Sequence, residues 1–166
     1  EKANALSAST KEQLQAIDYY NVGINYYYGA VTTRPIDTLL LNKADSAFAK
    51  VIEVKPDLGT GYYWRGQSNF AKDQQAQAGV AKPYYDKYIE MSEGDPAKNK
   101  NPLINAYTYE VLYYYFKEDT ANVKVYADKL TAIDPNNITV KQINENLSAR
   151  EKQAVKPALK QGQNKK

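Results

Sequence analysis

A phrase of small, aromatic and proline residues recurs through this chain at a nearly fixed interval, and that interval constrains the fold more than any other feature. Ala44, Phe48, Val51 and Pro56 give it first, Ala81, Tyr85, Tyr88 and Pro96 give it again, and Val123, Ala127, Leu130 and Pro135 give it a third time. The prolines lie about 40 residues apart, the length that two helices and two turns fill. Each such unit leaves an apolar face that only its neighbour can cover, so the units must stack into an array that presents an extended surface. The fold class expected is all-α.

The punctuation between the phrases sets the boundaries. Ser9 and Glu12 have capping-box spacing, which predicts a first helix from about residue 10 to 30 and leaves residues 1–9 as an N-terminal extension. Leu14, Ile17, Val22, Ile24, Tyr27 and Tyr28 fall mostly at helical steps along it. A return helix is expected at about 36–54, ended by Lys55-Pro56-Asp57, because proline disfavours a helical residue before it. A second pair is expected at 58–72 and 78–92, and a third at 103–117 and 120–133. The units are therefore 10–57, 58–96 and 103–137. Residues 138–155 read as an amphipathic capping helix that turns Val140, Ile143 and Leu147 inward, which completes a domain of 10–155. Residues 156–166 read as a flexible basic tail.

Composition removes most kinds of chemistry. The chain has neither cysteine nor histidine, so disulfides, thiolate or imidazole metal sites and triad-type nucleophiles cannot be built. The carboxylates Asp18, Asp45, Glu53, Asp86, Glu90 and Glu110 are spread over different helices and read as a solvated face. No glycine-rich phosphate loop occurs. A net charge of +3 with its excess in the tail does not make a nucleic-acid surface. No run of apolar residues is long enough to span a membrane.

At these residues the pattern resembles the tetratricopeptide repeat. The first unit matches it with Tyr19, Val22, Gly23 and Tyr26, then Ala44, Phe48, Val51 and Pro56, with about nine residues inserted between the two sets. The second matches with Tyr62, Gly66, Ala81, Tyr85 and Tyr88, but Arg65 and Asn69 stand where apolar and aromatic groups are usual. The third keeps the standard length through Tyr107, Tyr114, Val123, Ala127, Leu130 and Pro135, with Val111 in the place of a glycine. The resemblance covers roughly residues 16–137 and implies a right-handed α–α superhelix of three helical hairpins plus the C-terminal capping helix. The wording is also similar to exported repeat proteins of Bacteroidetes, which implies a periplasmic or cell-envelope location.

In that family the first helix of each pair forms the inner, concave wall. The resemblance places Ile17, Tyr20, Ile24, Tyr27 and Tyr28 there from the first unit, and Tyr63, Gln67 and Phe70 from the second. Asn105, Thr108, Leu112, Tyr115 and Phe116 follow from the third. With Asn21 and Arg65 as further polar groups, this wall is aromatic and nearly uncharged, and Tyr20, Tyr27, Tyr63 and Tyr115 are expected to line one continuous surface. Tyrosine offers a large flat area with few rotatable bonds and a polar tip, which suits recognition. The function expected is a non-enzymatic protein-interaction scaffold holding a peptide or protein segment in an aromatic groove, without cofactor, metal or catalytic residues. A glycan-associated binding module is the alternative, and self-association through the first hairpin is a further expectation.

Overall fold

The computed structural model describes the backbone of residues 2–162 and the side chains of 10–150, 152 and 153. Among the described residues there are seven helices and no strand: α1 Lys2–Val31, α2 Thr38–Val54, α3 Gly59–Lys72, α4 Lys82–Ser92, α5 Lys100–Phe116, α6 Thr120–Ile133 and α7 Ile138–Gly162. Two ends differ from expectation. The first helix begins at Lys2 rather than near Ser9, because the Ala3, Ala5, Leu6 and Ala8 run favours helix more than the capping-box spacing favours a start. The last helix continues beyond residue 155 to Gly162, through part of the segment read as a tail, while residues 163–166 lie outside the described ones.

Local chemistry fixes the other ends. Asp37 accepts bonds from the Leu39 and Leu40 amides at the start of α2, and Asp119 accepts one from Asn122 at the start of α6. Thr32, Thr33 and Arg34 donate to the carbonyls of Gly29, Ala30 and Val31, closing the end of α1. The helix expected from residue 78 begins instead at Lys82. The Asp73 carboxylate gathers the amides of Gln77, Ala78 and Gly79 into a turn, and Gly79, at a φ of 75°, passes beneath the Tyr113 ring.

Each helix packs on the next in the chain. In addition α1 touches α3, α3 touches α5 and α5 touches α7, whereas among the described residues α2, α4 and α6 do not touch one another. The odd-numbered helices thus crowd along one side while the even-numbered ones splay apart on the other. A stack built this way curves, with α1, α3, α5 and α7 on its inner wall.

Two glycines permit the close approach within hairpins. A Cβ on Gly23 would lie 2.5 Å from the Phe48 ring, and one on Gly66 would lie 2.7 Å from the Tyr85 ring. In the third unit the repeat register puts Val111 and Ala127 at the matching positions, both buried, a larger residue on the first helix with a smaller one on the second. The absent glycine has a volume compensation. Most of the buried apolar residues form two clusters. A small one holds Ala16, Ala44, Phe48 and Val51, while a larger one runs from Ala76 and Tyr85 to Val140 and Ile143 of the capping helix.

Two of the carboxylates read as solvated are not. Glu110 is fully buried and meets the Lys82 ammonium at 2.9 Å, and Asp45 forms a two-point pair with Arg65 at 2.9 and 3.0 Å. That second pair explains the departures at Arg65 and Asn69. Arg65 turns away from the inner wall to bind Asp45 and the Tyr84 hydroxyl, and the Asn69 amide donates to the same carboxylate at 2.8 Å.

Candidate functional site

The inner wall is organised around a residue that the tyrosine count passed over. Trp64 of α3, the only tryptophan in the chain, stacks on Phe48 with ring centroids 5.7 Å apart. Tyr20, Tyr27 and Tyr28 of α1 reach it edge-on at 6.5, 5.1 and 6.1 Å, and Tyr63 reaches it at 5.3 Å. Edge-to-face contacts let the positive rim of one ring meet the negative face of another, which fixes the cluster geometrically as well as burying area. The signal was present in the sequence as an indole next to Tyr63, one residue off the positions that the repeat pattern assigns to the wall.

The expected wall residues divide into groups. Tyr20, Ile24 and Tyr27 are half-buried against the small core, while Tyr28 and Ile17 are exposed by 54% and 47%. Tyr63, Gln67 and Asn105 come together: both amides donate to the Tyr63 hydroxyl and tie α3 to α5. Thr108 and Leu112 are half-buried on α5, and Leu112 packs on the larger core. Phe70 turns inward, 5.2 Å from the Tyr109 ring and 6.5 Å from that of Tyr85. Phe116 is exposed beside Tyr115 at the end of α5.

Tyr20, Tyr27 and Tyr63 therefore share one ring cluster, but Tyr115 is not part of it. Its ring lies 4.8 Å from the Arg150 guanidinium of α7 and lines a separate cleft of about 750 Å³, with Val123, Ala127, Val140 and Leu147. The capping helix reaches across the end of α5 and takes that tyrosine for itself.

Beside Trp64 the wall opens into a cleft of about 670 Å³. Tyr28, Tyr63, Trp64, Tyr88 and Met91 form its apolar lining, and Asp57, Lys98, Asn99 and Asn101 stand among its polar residues. Burial raises the titration of the Tyr27 and Tyr88 hydroxyls, so these two phenols are neutral at physiological pH. No helix among the described residues is long and apolar enough to cross a membrane.

Stacked hairpins with an inner wall of first helices give the chain a right-handed α–α superhelix of TPR-like hairpins. In particular it is similar to the C-terminal part of a TPR repeat-containing protein from the Bacteroidete Cytophaga hutchinsonii, known from a crystal structure. The two are 35% identical with a TM-score of 0.66, and the match covers 77% of this chain and 46% of that one. This chain thus corresponds to less than half of that relative. No family model matches the chain, and no curated protein matches it.

Proposed function

We propose that the chain is a non-enzymatic scaffold whose inner wall holds an extended, uncharged segment of a protein partner. The observation that carries this reading is the half-open ring cluster at Trp64, set in a wall whose assigned recognition residues are all uncharged, with Asp57 and Lys98 the charged groups lining the cleft beside it. Rings fixed by one another present a large area without losing rotamer freedom on binding, and a neutral segment avoids stranding a charge there. A photoreactive phenylalanine analogue at Tyr28 is expected to cross-link a protein segment in an extract of the native cells. The same group at Lys50, on α2, is expected not to. Equal labelling from both positions, or none from Tyr28, goes against the proposal.

A glycan is the second reading, because Asp57, Asn99 and Asn101 line the Trp64 cleft and supply the hydrogen-bonding groups that a sugar needs beside its stacking ring. A saccharide adduct at Tyr28 would reverse the order. The exposed side chains of Leu14, Val22 and Leu39 support self-association through the first hairpin. Light scattering over the micromolar range checks it, and a constant monomer mass would count against it.

A further inference from the structure

The rings of the cleft beside Trp64 are steeply set. Tyr28 and Tyr63 stand at 67° and 74° to the indole, and Tyr88 stands at 52° to Tyr63. Rings arranged this way form the sides of a box rather than one flat floor. The same cleft carries two charges of opposite sign. Asp57, in the turn before α3, and Lys98, in the turn before α5, both line it, and among the described residues neither has an ion-pair partner.

Elsewhere the chain sets its own cations against its tyrosines. Lys43 lies 5.5 Å from the Tyr26 ring centre, Arg65 lies 4.2 Å from that of Tyr84, and Arg150 lies 4.8 Å from that of Tyr115. Lys129 lies 5.8 and 5.7 Å from those of Tyr107 and Tyr126. Among the described residues no cation stands over Tyr28, Tyr63, Trp64 or Tyr88, although the negative faces of such rings attract one. An ammonium has no flat side and gains from rings on several sides at once, whereas a sugar stacks on one open face. A cation alone would be repelled by Lys98, so the complementary occupant carries both signs.

We infer that the partner segment, where its uncharged stretch ends, carries a lysine whose ammonium enters the ring box towards Asp57 and a neighbouring acidic residue whose carboxylate meets Lys98. This rests on the scaffold reading above and extends it past the uncharged wall. The two charges of the cleft belong to turns of successive units, so opposite charges on the segment also fix the direction in which it lies.

Because Trp64 is the only tryptophan, its emission reports this cleft directly. The probes are acetylated, amidated peptides of glutamine and alanine that hold lysine and glutamate side by side, in either order. Controls carry norleucine for lysine or glutamine for glutamate, and glycine betaine serves as a small dipolar ion. One order of the charged pair is expected to shift the emission saturably. Norleucine is expected to weaken that peptide about five- to thirty-fold, the range of a cation held by rings in a half-open site. Asp57→Asn, at an exposed position, should weaken the lysine peptide and leave the norleucine peptide unchanged, and Lys98→Gln should matter only where glutamate is present. Norleucine binding as tightly as lysine, equal affinity for the two orders, or a lysine peptide indifferent to Asp57→Asn overturns the charged occupant and leaves the scaffold standing. No response to any peptide, or a response to betaine alone, overturns it as well, and the cross-link at Tyr28 then judges the scaffold by itself.

Discussion

At the scale of single residues, the least expected feature is a carboxylate inside the core. Burial pushes Glu110 up to about 7, although the hydrogen bond and charge of Lys82 pull the other way. Lys82 is itself raised: desolvation alone would lower it, but Asp86 and Glu110 both hold its ammonium, and the Tyr113 and Tyr114 rings lie 5.4 and 4.9 Å away. One Glu110 oxygen, Oε1, has no hydrogen-bond partner in the described structure. A carboxyl that binds its proton more tightly folded than unfolded stabilises the fold most below its unfolded value near 4.5. That contribution is lost as pH rises towards 7. The span corresponds to about 3 kcal/mol. Glu110→Gln keeps the volume and removes the charge, so the stability gap between variant and parent is expected to be largest at pH 8 and to narrow towards pH 5. Urea unfolding at intervals across that range measures it, and parallel stability curves would contradict the account.

At the scale of elements, hairpin packing turns on how near the second helix comes to the first. Gly66→Ala would gain up to about 1 kcal/mol of helix propensity, but its Cβ would lie 2.7 Å from the ring of the fully buried Tyr85, which would have to shift. The net expectation is a loss of about 1–2 kcal/mol by urea unfolding. Adding Tyr85→Leu should make the double variant less damaged than the two single losses added together, following the Val111 and Ala127 solution of the third unit. A Gly66→Ala protein more stable than its parent would sink this reading. The same comparison shows what was legible in the sequence. The period, the hairpin order and the inward face of the capping helix could be read because each is a spacing rule acting within one helix or turn. Arg65 looked like an inner-wall group, and Asp45 and Glu110 like solvated ones, because their partners lie on other helices, and pairing between helices leaves no periodic trace. Phe70 and Tyr115 were misplaced for a related reason: an aromatic at the edge of a helical face can go to either side, and the neighbouring helix decides.

At the scale of the whole molecule, the array is two cores joined by a seam. The first hairpin centres on the small cluster around Phe48 and Val51, with Ala30, Leu41 and Ala47 also buried in it, whereas the later units and α7 share the larger one. Tyr63 and Trp64 are adjacent in α3, yet Tyr63 packs with the larger cluster and Trp64 with the smaller, so the candidate binding surface lies on the joint itself. In a stacked array stability is close to a sum of unit terms and neighbour interfaces, and a weak unit depends on its interface. Trp64→Ala removes ring contacts with Phe48, Tyr20, Tyr27, Tyr28 and Tyr63 together, and because the indole is half-buried the loss is expected to fall below the roughly 3–5 kcal/mol of a fully buried large aromatic. Within its cluster the first hairpin is joined to α3 through this ring, so it is expected to open ahead of the rest. Because the variant has no tryptophan emission, native-state hydrogen exchange is the suitable probe. Amides of α1 and α2 should lose protection by several orders of magnitude while those of α5 and α6 keep theirs. An equal fall in protection along all the helices would mean that the two clusters unfold as one core, and that the joint at Trp64 does not divide them.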